Sequence, residues 1–201
     1  MKFKVKAPTG ALVVDFKFGT ARDFQLLSKW RSPGSQRKNP LVKDALEYRS
    51  LAGKRWRSYS SSRRTVTSLN ALRRAIRKDP TCEIVFFLTA VAKWHSPSPI
   101  LGFCFCRRTW CNHFILDFAA SHPNAIRAAG GEIKGVGAGM LYSLVSVADQ
   151  LGVGLVWGEA TLNSVGFYRY VLEVPHLTDH FFIEGPLFKQ CLREYERIAI
   201  A

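Results

Sequence analysis

Apolar and charged residues alternate from Lys2 to Lys6, which predicts an edge strand or a loose arm. Residues 11–18 form a second strand candidate. Thr20 or Asp23 then caps a helix with Phe24, Leu26, Leu27 and Trp30 on its buried side, and Pro33-Gly34-Ser35 stops it. A second helix is expected over residues 41–51, and a third, capped by Ser68, over 69–78. The third has a narrow apolar face of Leu69, Leu72 and Ile76, so its cations face outward. Residues 83–92 and 100–107 read as strands separated by a Ser/Pro loop. A turn at 110–113 leads into a further strand and completes an antiparallel meander.

Beyond the meander the pattern changes to strand, glycine loop, helix, strand and helix start over residues 114–172. Met140, Leu141, Leu144, Val145, Val147, Ala148 and Leu151 recur at helical spacing. Gly154-Leu155-Val156-Trp157 is a short strand, and Ser164 opens another helix. Phe181, Phe182 and Ile183 predict a terminal strand, followed by a helix or strand over 191–200. His176 and His180 stand four apart, but Pro175 and Asp179 place them in a loop.

The glycine loop carries specific physics. Gly135, Gly137 and Gly139 keep side chains off the backbone, so N–H groups can converge on an anion at the positive end of the following helix. No Gly-Lys-Ser/Thr closes a P-loop, and the full dinucleotide fingerprint is missing. The plain alternative is a tight strand-to-helix turn that binds nothing.

Lys134-x-x-Gly137-x-Gly139 resembles the Arg/Gln-x-x-Gly-x-Gly/Ala loop of the Gcn5-related N-acetyltransferases (GNAT). Asp117-Phe118-Ala119-Ala120-Ser121-His122-Pro123 is similar to that family's fourth strand. Ser164-Val165-Gly166-Phe167-Tyr168 is similar to its Ala-x-x-Phe-Tyr helix start, and residues 19–27 to the entry into its first helix. There are departures. Lys134 replaces Arg or Gln, residues 124–133 lengthen the loop, Ser121 stands as an extra strand residue, and Thr161 replaces a usual Asn. Leu172 stands where a Gly-Phe pair is usual.

The resemblance implies one α/β (α+β) domain over residues 1–201: a mixed, mostly antiparallel sheet flanked by helices, with 31–80 as a basic helical insertion after the first helix. It implies acetyl-CoA or another acyl-CoA as donor. Backbone N–H groups of Gly135, Val136, Gly137, Ala138 and Gly139 would hold the pyrophosphate, and Lys134 would add charge. Phe118, Ala119 and Ala120 would pair with the pantetheine arm, with Thr161 and Ser164 where it turns. Tyr168 would give the leaving thiolate its proton, although it also suits a core aromatic. Asp117, Glu159 and His122 all stand near strand ends as candidate bases, with a water as the alternative.

Charge narrows the acceptor. The chain holds 29 Lys+Arg and 15 Asp+Glu, of which 20 and 5 fall in residues 1–80, so the excess lies in the first two-fifths. Such asymmetry points to a polyanion. Lys54, Arg55, Arg57, Arg63, Arg64, Arg73 and Arg74 would neutralise phosphates, and Trp56 or Tyr59 would stack on an unpaired base. The expected acceptor is therefore an amine on nucleic acid, in DNA or on an aminoacyl-tRNA, as in the family's Mom-type DNA modifiers or tRNA-acetylating toxins. A protein or small-molecule amine is the enzymatic alternative, and a non-catalytic nucleic-acid-binding module the other.

Five cysteines without framework spacing argue for reduced thiols and a cytoplasmic protein. Cys104-x-Cys106-x4-Cys111-x-His113 brings soft ligands together, but not with the Cys-x2-Cys spacing of a zinc knuckle, so no metal is expected. No apolar run is long enough to span a bilayer.

Overall fold

The computed structural model describes residues 1–32 and 34–200. Its frame is a seven-stranded sheet with the strands in sequence order. β1 (Lys2–Ala7), β2 (Gly10–Phe18), β3 (Ile84–Val91), β4 (Ile100–Arg108) and β5 (Phe114–Ser121) form the antiparallel meander. β6 (Val156–Glu159) joins β5 in parallel, and β7 (His180–Ile183) pairs antiparallel with β6. His180 thus begins a strand rather than lying in a loop.

Neighbouring side chains of the central strands point to opposite faces, and both faces are covered. On one face, α1 (Ala21–Leu27) and α2 (Pro40–Ser61) bury Leu27, Trp30, Ala45, Ala52 and Trp56 against Val85, Phe87, Phe103 and Phe105. On the other, α3 (Leu69–Lys78), α4 (Val136–Asp149), α5 (Val165–Leu172) and α6 (Gly185–Ile198) pack over Phe86, Leu88, Cys104 and Phe114. That is why β3 and β4 are buried along nearly their whole length, whereas β1 is buried only at Phe3, Val5 and Ala7.

The helix starts follow their local chemistry. Both candidate caps of α1 take part, since the Asp23 carboxylate accepts from the Thr20 N–H at 2.7 Å and hydroxyl at 3.0 Å. Pro33, the expected stop of this helix, lies outside the described residues. The Ser68 hydroxyl accepts from the Ala71 N–H at 3.1 Å, as the α3 cap.

Helix α2 departs from expectation. It runs ten residues past Leu51, because Val42, Ala45, Ala52 and Trp56 continue one buried stripe into the basic segment. Trp56 is therefore a core residue, ring to ring with Phe24 at 5.7 Å and Phe87 at 5.1 Å. Its expected stacking on an unpaired base is corrected accordingly. Among the described residues, no helix is long and apolar enough to cross a membrane.

Candidate active site

Strands β5 and β6 part halfway along. Phe114, Ile115 and Leu116 pair with Val156, Trp157 and Gly158, and the ladder ends there. Gly158 marks the pinch: a Cβ would stand 2.8 Å from the Leu116 carbonyl oxygen and from the Phe181 ring. On its other side β5 carries a bulge. Phe118 pairs with Phe105 and Leu116 with Cys106, leaving Asp117 unmatched. The extra residue of this strand is thus Asp117, not Ser121. From Phe118 to Ser121 one edge of β5 is bonded to β4, and the edge towards β6 carries no ladder.

Helix α4 begins at this gap. Lys134 exchanges two backbone hydrogen bonds with Lys6 of β1, at 2.8 and 3.0 Å. Gly135 follows with φ of 94°, a conformation suited to glycine. The Gly139 N–H makes the first intrahelical bond, to Gly135, so the N–H groups of Val136, Gly137 and Ala138 precede the ladder and are available to an anion. A Cβ on Gly137 would sit 2.9 Å from the Phe167 ring and 3.7 Å from the Ser121 hydroxyl, so the loop, the end of β5 and the start of α5 converge here. Gly139 serves the core instead, since a Cβ there would strike the Phe3 ring at 2.4 Å. It admits β1 to the core and leaves the anion side to its neighbours.

Tyr168 lies one residue beyond Phe167, buried and stacked on Phe181 at 4.2 Å. Burial first, then the neighbouring Cys104, Tyr48 and Cys106, push its phenol well above the ordinary range. It keeps its proton at neutral pH, and no described residue hydrogen-bonds its hydroxyl. Ser164 and Thr161 form a turn before α5, with the Ser164 hydroxyl accepting from the Thr161 N–H at 2.9 Å.

Helix α2 crosses the opposite flank. Its Tyr48 ring lies 5.8 Å from Phe118, and Asp44 accepts from the Asn163 side chain at 2.8 Å. Burial raises the Tyr48 phenol, opposed by its hydrogen bond with Thr161. Arg55 places its guanidinium 5.6 Å from the centre of the Phe118 ring and 3.4 Å from Asp117.

Two expected bases are corrected by their partners. Both Asp117 oxygens accept from Arg107, at 2.7 and 2.8 Å, and Arg107 also holds Glu83 at 2.9 Å. The Asp117 side chain is 6% exposed. It is the buried anchor of a partly exposed ion network, and Asp117 drives the Arg107 guanidinium further up its range. Glu159 is 80% exposed and faces His180 of β7 at 3.7 Å, on the side of β6 away from β5. His122 is buried, accepts from the Asn124 N–H through Nδ1, and is pushed down to about 4 by burial and by His95.

The basic residues divide. Lys54, Arg57, Arg63, Arg64 and Arg74 are exposed, whereas Arg55 is tied to Asp117 and Arg73 donates to the Gln150 carbonyl at 3.3 Å. The cysteine motif does not converge. Cys104 and Cys106 are buried in the core, where burial pushes Cys104 up to about 12, while Cys111 pairs with His113 at 3.3 Å. Among the described residues, no three potential metal ligands come together. Tyr48 and Arg107 are the neighbours of the site that sequence reasoning missed. Tyr48 stands between Glu47 and Arg49, and Arg107 beside Arg108, so nothing local marked either, and their proximity arises from long-range packing.

No protein-family model matches the chain, and no curated protein sequence matches it. Among solved structures, one is a protein from Desulfovibrio desulfuricans described as a GNAT-family acetyltransferase. It is 11% identical, with a TM-score of 0.51 over 85% of this chain and 98% of that one. The PaiA N-acetyltransferase of Thermoplasma acidophilum, in complex with coenzyme A, is 14% identical with a TM-score of 0.45 over 85% and 98%. Nourseothricin acetyltransferase is 14% identical, with a TM-score of 0.38 over 51% of this chain and 66% of its own. With its sheet order, its β5 bulge and the parting of β5 from β6, the chain has the fold of the GNAT acetyltransferases.

Proposed function

We propose that the chain is an acyl-CoA-dependent N-acyltransferase whose acceptor amine is carried by nucleic acid. One observation carries the donor half: the free edge of β5 meets the unladdered N–H groups of α4 at Gly137, one residue from the helix turn that holds Tyr168. These groups fit an acyl-CoA. Without a side chain, Gly137 leaves room where a Cβ would crowd Phe167, and three N–H groups await an anion. When bound, acyl-CoA supplies the acyl group as a thioester.

The N–H groups of Val136, Gly137 and Ala138 hold the pyrophosphate, with Gly135 setting the turn and the exposed Lys134 adding charge. Backbone groups of Phe118, Ala119 and Ala120 offer a strand-like edge to an extended arm. Thr161, hydrogen-bonded to Ser164 and to the Tyr48 that lies over Phe118, would stand where the arm turns. The Tyr168 hydroxyl is protonated at neutral pH and would supply a proton as the thiolate leaves. With Asp117 and Glu159 committed elsewhere, water takes the proton from the acceptor amine.

The acceptor class rests on electrostatics. The excess of positive charge lies in residues 1–80, and exposed cations continue from α2 onto α3. The test uses acetyl-CoA radiolabelled in the acetyl group, incubated separately with charged tRNA, uncharged tRNA, duplex DNA, single-stranded DNA and a protein extract. Label in one nucleic-acid fraction, lost with Gly137→Glu, is the expected result. Label only in protein or small molecules overturns the acceptor class. No label together with no CoA binding overturns the enzyme.

A further inference from the structure

Four cations line an open cavity of about 340 Å³ at the junction of α1 and α2: Arg31, Arg37, Lys43 and Arg49. No acidic side chain lines it. Leu46 is the partly exposed apolar residue of the lining, and Trp30 and Val42 are buried beneath it. Two of the cations are fixed in place: Arg31 and Arg49 both donate to the Trp30 carbonyl oxygen, at 2.9 and 2.8 Å. Arg49 donates further to the carbonyls of Leu27 and Leu46. Two like charges thus share one acceptor, and among the described residues no carboxylate forms an ion pair with any of the four. Burial and the neighbouring Arg31 pull the Arg49 guanidinium below its ordinary range. Elsewhere the chain handles clustered guanidiniums differently: Arg55 and Arg107 converge on the carboxylate of Asp117.

We propose that this cavity is a binding site for a phosphomonoester, with the phosphate on the guanidiniums and an aromatic or aliphatic group over Leu46. Guanidinium forks match tetrahedral oxyanions, and their fixed orientation lowers the ordering cost of binding. An unpaired like-charge pair at a partly apolar wall gains from an anion what Asp117 gives to Arg55 and Arg107. The site is separate from the α4 loop and does not depend on the acyltransfer reading. Two sources share this chemistry: a small phosphorylated metabolite and the 5′-phosphate of a nucleic-acid strand.

Calorimetry with phenyl phosphate tests the site, with phenol as the uncharged counterpart. The expected result is saturable binding of phenyl phosphate and none of phenol. Arg37→Glu/Lys43→Glu should weaken it at least tenfold, while Arg73→Glu/Arg74→Glu, an equal charge change on α3, weakens it less than threefold. These variants spare the two arginines that brace the loop, so folding is retained. Absence of saturable binding, equal binding of phenol, or equal losses in both variants overturns the proposal. A short oligonucleotide with and without a 5′-phosphate separates the sources. A phosphate-dependent affinity tenfold above that of phenyl phosphate assigns the site to a strand end, and equal affinity assigns it to a small phosphomonoester.

Discussion

The two flanks of the free end of β5 are built in different ways. On the α4 flank the working groups are backbone N–H groups presented by consecutive residues, Val136 to Ala138, with Phe167 and Tyr168 brought beside them from α5, beyond β6. On the α2 flank they are side chains drawn from distant segments: Tyr48 and Arg55 of α2, Arg107 of β4 and Thr161 before α5. The first kind of site is written in short motifs. The second exists only once the sheet has assembled, and its charges are largely committed to one another.

Gly137→Glu should break the first flank alone. A carboxylate beside the N–H groups should lower acyl-CoA affinity at least ~100-fold, about 2.7 kcal/mol, in calorimetry, with nucleic-acid affinity unchanged. Asp117→Asn should break the second by leaving Arg107 with Glu83 alone and Arg55 without a carboxylate. We expect a loss of about 3 kcal/mol in urea denaturation. A fall in kcat at unchanged stability would instead return Asp117 to the role of base.

Tyr168→Phe sharpens the contrast within the donor flank, with kcat falling roughly 100-fold while CoA affinity holds. Unchanged turnover would reject Tyr168 as the acid. His122 probes the end of β5 through pH. Its folded-state value near 4 lies below the ordinary 6.5, so the unfolded chain binds the proton first. Its contribution is complete above about 6.5, declines as pH falls towards 4 and is flat below. Allowing for solvent screening, the decline should be about 2 kcal/mol, and His122→Asn should remove it from the urea midpoints. The smallest effect concerns the exposed cations. Neutralising Lys54, Arg57, Arg63 and Arg64 together should weaken nucleic-acid binding about tenfold at moderate salt and flatten its salt dependence.

The sheet and the start of α4 were largely legible. Apolar runs placed β3, β4 and β5, Ser68 marked its helix, and the glycine spacing located α4. Yet spacing could not tell Gly137, which faces the gap, from Gly139, which admits Phe3. The basic stretch of α2 was misread because its mixture of cations, aromatics and hydroxyls drew attention from the stripe that buries Trp56. Asp117 was misread for a deeper reason. Its bulge and its arginine partner are set by the pairing of β4 with β5, a relation between strands that no local pattern encodes.

The bond pair between Lys6 and Lys134 has a practical consequence for handling the protein. The loop proposed to grip the donor is latched to the opposite margin of the sheet, and Phe3 sits under its third glycine. An expression tag that pulls on β1, or a deletion of its first few residues, would slacken that latch. The preparation would look well folded by circular dichroism and yet behave as a binding mutant. Tag-free material is therefore the proper reference for every affinity named above.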